Sequence, residues 1–438
     1  MRRGATSHLA KIVNKTHAAD LSVVFRSLTL SQQQQLFRLI EDTEQKGILF
    51  SELEDKFLLD FIDAMKLPEV IEVLEAMPSD DVADLLGKLP SDQADKFLNE
   101  MKSEGSEEVE ELLSYDDDTA GGIMIPDFIA LKEDSIAREA IASIQKDYVD
   151  VEMPFYIYVI DEFERLVGVI SLRQLVVVQP DTPLKNFMAT DIFSVKTGTD
   201  QEEVAKLVAR YDILAVPVVD ESNVLVGIVT VDDVIDIFRM EATEDILKMA
   251  GAGEEFVETQ SILRSTRIRL PWLFASCIGG IFAFFIIGYF EASLVKFAYL
   301  AAFIPVIMGM GGNIGTQSST IVVRGLATGR IHIKEIWQVV FKELMVGLIL
   351  GVIYGVLIGS VAQVRFLYMV SSTAFAISVG LAVISSMSIA ALVGSLVPMV
   401  FARLNIDPAV ATGPFVTTSI DIVSVLFYFT IATTLLRI

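Results

Sequence analysis

Among its 438 residues the chain has one cysteine and three histidines. A single thiol, Cys277, builds neither a disulfide framework nor a thiolate cluster. His8, His17 and His332 lie far from any nucleophile pattern, so no enzymatic activity is expected. Positive charge is scarce too: 34 Lys and Arg stand against 58 Asp and Glu, a net of −24. Such a surplus of carboxylates repels nucleic acid and concentrates cations. The opening MRRGATSHLAKIVNK has no apolar core behind its charges, so no secretory leader is expected and the soluble half should stay in the cytoplasm.

Charge and apolarity divide the chain. From Ser261 onward there are eleven Lys/Arg and five Asp/Glu, which leaves 23 and 53 before it, a net of −30. The basic half holds five apolar runs, Leu270 to Phe290, Phe297 to Val323, Trp337 to Val361, Phe375 to Phe401 and Ala409 to Leu436, each long enough to cross a bilayer. Arg264, Arg267 and Arg269, then Arg324, Arg330 and Lys334, then Arg403 mark the cytoplasmic connections. The amino terminus is then inside and the carboxyl terminus outside.

The fifth run carries Asp421 near its middle. A central carboxylate costs roughly 2.5 to 3.5 kcal/mol on insertion scales, so it is expected to face water, a partner or a cation. It is read as the only charge at the centre of the membrane domain. Pro414 lies two turns earlier and has no N–H for the carbonyl of Val410, which predicts a freed carbonyl near the same site. The second run is also unusual: PVIMGMGGNIGTQSSTIVVRG turns Gly-rich and polar inside hydrocarbon. Gly309, Gly311, Gly312 and Gly315 permit close helix approach or a break, while Asn313, Thr316, Gln317, Ser318 and Ser319 supply uncharged oxygens and amides. With Asp421 they are expected to wall a polar pathway.

The acidic half begins with short helices. MPSDDVADLLGKL at Met77 nearly repeats as PSDQADKFLNEM at Pro90, with Ser or Asp expected to cap each helix in a superhelical stack. Asp80 and Asp84 share a helix face; taken alone, such a pair is better read as solvated. Further on, YVIDEFERLVGVISLRQL superposes on PVVDESNVLVGIVTVDDV at a fixed offset of 59 residues, 158 to 217. Strands are predicted at Phe155 to Val159, Leu166 to Ser171, Val216 to Val219 and Leu225 to Thr230. The repeat resembles a tandem pair of CBS domains, modules that commonly bind adenosyl ligands and dimerise. An acid-rich helical connector, Asp232 to Glu258, follows, with Asp233, Asp236, Glu241, Glu244 and Asp245 as candidate cation ligands.

The order of parts, with YDDDTAGGIMIPDFIAL before the repeat, EATED in the connector and GMGGNIGTQSST in the second run, resembles the MgtE family of bacterial magnesium channels along essentially the whole chain. The expected organisation is an acidic helical domain at 1–123, CBS domains at 124–186 and 187–231, a connecting plug helix at 232–260 and a five-helix pore domain at 261–438. The resemblance implies a homodimer whose pore is lined by the second and fifth spans, with Asp421 selecting the ion beside Asn313, Thr316, Gln317 and Thr417. Carbonyls near Thr417 and Thr418 would accept bonds from the ion's water. It places regulatory Mg2+ on Asp80, Asp84, Asp200, Glu202, Asp212, Asp233, Asp236, Glu241, Glu244 and Asp245, and a nucleotide such as ATP at Tyr156 and Arg173. Gly413 and Thr316 stand where many members have Asn, and Gln174 stands where an Asp is common. The expected function is Mg2+ import across the cell membrane, closed by cytosolic Mg2+, with Co2+ and Ni2+ as further candidate ions. The alternatives are an exchanger coupled to another ion and a membrane-anchored nucleotide sensor.

Overall fold

The computed structural model describes residues 3–53, 55–147, 156–252, 262–368, 372–410 and 412–437. Phe155, expected to open a strand, and residues 253–260 of the expected connector lie outside them. The chain divides into two units, Met1–Arg239 and Met240–Ile438.

In the first unit, the described residues between Arg3 and Leu112 form nine helices of eight to eleven residues. Helices this short are marginal alone, so each is held by the apolar face it buries. Phe25, Phe37, Phe50 and Phe61 meet at that core, the Phe37 and Phe50 rings stacked at 5.3 Å and Phe61 edge-on to Phe25 at 5.4 Å. The repeated Pro-Ser-Asp units open helices Ser79–Gly87 and Ser91–Glu100, but the N-caps are Pro78 and Pro90 without a side-chain cap bond. Proline's fixed φ sets the entry instead. That frees the Ser79 hydroxyl to donate to Glu108 at 2.9 Å.

Two three-stranded sheets follow with one topology. β1 (Ala130–Lys132) pairs parallel with β2 (Tyr156–Ile160), which pairs antiparallel with β3 (Leu166–Ser171). β4 (Val195–Lys196), β5 (Ala215–Val219) and β6 (Leu225–Thr230) repeat the order. Val159 opposes Gly168 and Val218 opposes Gly227, each followed by a register shift. The glycines are there for close approach: a Cβ would stand 2.3 Å from the Met188 sulfur at Gly168 and 2.7 Å from the Met124 sulfur at Gly227. β1 and β4, at three and two residues, were too short to leave an alternation in the sequence. The connector helix, Val231–Met249, leaves β6 and crosses the boundary between the units.

The second unit contains five helices long and apolar enough to cross a membrane, and it is a multi-pass membrane domain. They are span one (Ile262–Tyr289), span two (a 3-10 turn at Ala298–Phe303, then Ile304–Ala327), span three (Ile336–Arg365), span four (Ser372–Arg403) and span five (Gly413–Leu436). Span one starts before its apolar run, taking in Arg264, Arg267 and Arg269, whose stems can lie along the helix while their heads reach water. Span two is unbroken, so its glycines serve packing. Span five starts at Gly413 with Pro414 in its first turn, where a missing N–H costs nothing. Val410 lies before this helix, so Pro414 interrupts no ladder, and the Val410 carbonyl has no hydrogen-bond partner among the described residues.

Span four is the hub, packing against spans two, three and five. Its buried face sets small residues, Gly380, Ala382, Ser386, Ala390, Ala391, Gly394 and Ser395, among larger ones such as Phe375, Val383 and Met387. Small residues let backbones approach where lipid supplies no hydrophobic drive. At the tightest point a Cβ on Gly394 would stand 2.3 Å from the Gly315 carbonyl oxygen of span two. Gly394→Ala raises helix propensity, yet the overlap dominates. The substitution is expected to destabilise the domain by about 1 to 3 kcal/mol, read as a lowered melting temperature in detergent.

Candidate functional site

Span two turns one face inward and leaves the other open. Ile307, Gly311, Ile314, Gly315, Ser318, Ser319 and Val322 are buried, whereas Asn313, Thr316, Gln317 and Thr320 are exposed. Their spacing of three, one and three residues makes the second set a single polar stripe along a membrane helix. Thr316 donates back to the Gly312 carbonyl at 2.9 Å. Asn313 and Gln317 have no hydrogen-bond partner among the described residues.

Asp421 stands at the same level. A Cβ on Gly315 would stand 2.0 Å from Cδ1 of Ile420, and one on Gly311 would stand 2.9 Å from the Ser424 hydroxyl, so the turn bearing Asp421 lies beside the Gly311–Gly315 turns. Asp421 is partly buried and meets no donor among the described residues. The Ser/Thr pairing that would make it structural is therefore not formed. Thr417, one turn before it, donates to the carbonyls of Gly413 and Pro414 at 3.1 and 3.3 Å. Because span five is regular here, the Thr417 and Thr418 carbonyls belong to its own ladder, and each keeps one lone pair for the water bonds expected of it.

A second carboxylate, absent from the sequence reading, is buried in span three. Glu343 is 5% exposed and accepts a 2.9 Å bond from Ser318 of span two. Asp421 is thus not the only charge within the membrane domain. The signal was Lys342-Glu343 inside an otherwise apolar run. Ser386 likewise ties three spans, bonding Ser424 at 2.7 Å and donating to the Ile307 carbonyl at 3.1 Å.

In the first unit, the expected acids sort by environment. Asp80 and Asp81 begin helix Ser79–Gly87 and face Asp232 and Asp233 of the connector helix. Burial pushes the Asp80 carboxyl up to about 8, and the like charges of Asp81 and Asp233 add to it. Burial lifts Asp233 to about 6 despite the 2.5 Å bond it accepts from Thr230. Asp80 Oδ1 is buried without a partner among the described residues. The solvated reading of the Asp80–Asp84 pair fails for Asp80; Asp84 is exposed. Asp81 and Asp232 join the cluster unforeseen, because spacing along one helix says nothing of a facing helix.

The other expected ligands are dispersed. Asp200 caps its helix by accepting from the Glu202 amide at 2.8 Å, and Glu202 pairs with Lys206 at 2.7 Å. Asp212 sits at the far end of that helix in a left-handed C-cap. Asp236 pairs with Arg239 at 3.3 Å. Among the described residues no three carboxylate, histidine or cysteine side chains converge as a cation cage.

In the second unit, the connector's end meets the foot of span five. Lys248 bridges Glu244 and Asp407, the latter at 2.7 Å, in the loop before span five. Glu244 is therefore paired with a cation of its own chain. A Cβ on Gly413 would stand 2.7 Å from the Met249 carbonyl, and Gly251, at φ +71°, lies against Pro414. Gly413 is required by this contact.

A family model described as a divalent cation transporter, MgtE, matches residues 304–431, and the MgtE intracellular N domain matches 16–118. CBS domains match 120–181 and 184–239. The magnesium transporter MgtE of Bacillus subtilis is 38% identical over 334 residues, 75% of this chain and 72% of that one. That of Thermus thermophilus is 39% identical over 335 residues, 75% and 73% of the two chains. This chain belongs to the MgtE family.

Among solved structures, the cytosolic domain of the Mg2+ channel MgtE in complex with ATP is 34% identical, with a TM-score of 0.52 over 54% of this chain and 96% of that one. In this MgtE chain the expected nucleotide residues lie at one end of the first sheet. Tyr156 pairs in register with Ser171, and the exposed Arg173 follows two residues on. Gln174 is engaged in a capping box, accepting from the Ser171 amide at 2.8 Å.

Raised carboxyl pKa values mean that the folded cluster holds protons the unfolded chain has released. Its stability is then greatest below the ordinary carboxylate range and is lost as pH rises through about 6 and about 8. Hydrogen exchange of helix Ser79–Gly87 in chelator should accelerate over that window. A divalent cation at roughly millimolar concentration should flatten the dependence.

Proposed function

We infer that the chain imports Mg2+ across the cell membrane as a channel and is closed by cytosolic Mg2+ bound among its acidic soluble domains. The observation that carries this is Asp421, unpaired within a membrane helix and level with the open polar stripe of span two. A stripe of Asn313, Thr316, Gln317 and Thr320 cannot face lipid tails at low cost, so it needs water or a second copy. Two copies with these stripes apposed would place two Asp421 side chains across an axis. Mg2+ sheds water reluctantly, and such a site can take the hydrated ion through carboxylate and amide acceptors. Lipid surrounds the assembly, and the homodimer is its working form.

The loop arginines put the soluble unit in the cytoplasm, and five spans then leave the carboxyl terminus outside. Mg2+ at Asp80, Asp81, Asp232 and Asp233 would replace the protons that burial otherwise keeps on Asp80 and Asp233, drawing the amino-terminal helices and the connector's start together. Asp84, Asp200, Glu202, Asp212, Asp236, Glu241 and Asp245 are further candidates, each engaging an ion once domains or copies approach. A ligand biases such a gate only by its differential affinity for the two states. ATP is assigned to the Tyr156–Arg173 end of the first CBS sheet, by likeness to the relative whose cytosolic domain was solved with ATP.

Liposomes holding the full chain and a Mg2+ dye test transport. The parent should pass Mg2+ down its gradient without a counter-ion, a condition an exchanger fails. Asp421→Asn should insert normally and lose nearly all flux. Undiminished flux in that variant would remove Asp421 from the pathway. Lys248→Met should raise the Mg2+ concentration that half-closes the pore by about three- to fivefold, the worth of a partly exposed ion pair, and leave open-state flux alone.

A further inference from the structure

Span three is joined to span four along a glycine seam. Gly347, Gly351, Gly355 and Gly359 are all buried at four-residue spacing, and a Cβ would stand 2.5 Å from Ala391 Cβ at Gly347 and 2.7 Å from the Gly380 carbonyl at Gly355. Glu343 occupies the next position of this seam, one turn before Gly347. A carboxylate there is costly, because it leaves water for a face otherwise packed by glycine. No Lys or Arg among the described residues neutralises it; the adjacent Lys342 is exposed. Its recorded partner is the hydroxyl of Ser318, itself 1% exposed, at 2.9 Å. Span three otherwise touches span two only briefly.

On its other sides span two packs through Gly311 and Gly315 and through the buried Ile307, Ile314 and Val322. Glycine contacts fix how near two helices come, but without a side chain they fix rotation poorly. Ser318 follows Gln317 directly, and each residue turns the helix by about 100°. A bond that holds Ser318 toward span three therefore adds a polar constraint on the bearing of Thr316 and Gln317 beside the apolar packing of Ile314 and Val322. We propose that Glu343 is a positioning residue for ion selection, holding through Ser318 the rotation of span two that places Asn313, Thr316 and Gln317. The inference rests on the reading of the chain as a cation channel.

The test measures Mg2+, Co2+ and Ni2+ flux in liposomes for the full-length parent, Glu343→Ala, Ser318→Ala, the double variant and Glu343→Gln, beside each one's melting temperature in detergent. Glu343→Ala and Ser318→Ala should shift the Co2+ to Mg2+ flux ratio in the same direction by about three- to tenfold, the scale of one lost hydrogen bond. The double variant should go no further than either single one. Glu343→Gln can still accept from Ser318 and should restore the parental ratio. Should Glu343→Ala fail to fold, Ser318→Ala, which removes one oxygen, carries the test. Parental ratios in Ser318→Ala would overturn the proposal, and so would Glu343→Gln matching Glu343→Ala, since the charge rather than the bond would then matter. A parent that passes no cation would instead overturn the transport reading on which the proposal rests.

Discussion

Inside hydrocarbon there is no water to complete a hydrogen bond, and the membrane unit is arranged around that constraint. Its backbone is helical throughout the spans. Its hydroxyls mostly turn back onto their own helices, as Thr316 does to Gly312, Ser360 to Val356 and Thr430 to Leu426. Others tie spans together: Ser386 to Ser424, and Tyr428 to the Leu300 carbonyl at 2.9 Å. Against that background Asn313, Gln317 and Asp421 have no partner among the described residues, and they lie at one level of the domain. Asn313 and Gln317 are exposed and Asp421 is partly buried, which is the ground for the proposed cation route.

The soluble unit applies the converse rule. Carboxylates belong in water, and most of its acids are there. Asp80 is not: its helix packs Val82 and Leu86 into the core, and that packing carries Asp80 and Asp81 against the start of the connector helix. The repulsion is held in place by apolar burial elsewhere. Such an arrangement is sensitive to whatever neutralises it, whether a proton or a cation.

The connector joins this chemistry to span five at two ends with opposite character. At its start, Asp232 and Asp233 meet other acids and repel. At its finish, Lys248 meets Glu244 and Asp407 and attracts. The end near span five is thus held by an ion pair, while the start lies among like charges.

Much of this was legible in order. Five spans followed from apolar runs of membrane length, the paired CBS folds from a 59-residue repeat, and the choice of Asp421 as a candidate from the cost of a carboxylate in lipid. These are properties of one residue or one stretch, and the chain carries them wherever it folds. What the sequence could not supply was which faces meet. Whether Pro414 kinks a span or starts one depended on where the helix begins, and the Met249 contact at Gly413 lies at that beginning. Glu343 finding Ser318, Asp80 finding Asp233 and Lys248 finding Asp407 each join residues far apart in the chain, and periodicity within one helix is silent about its neighbour's rotation. The sequence by itself determined the materials: membrane-length apolar helices, a duplicated α/β module and an excess of carboxylates. The tertiary structure alone decided which polar groups are satisfied and which are left without a partner among the described residues, because satisfaction is a relation between surfaces brought together only by packing.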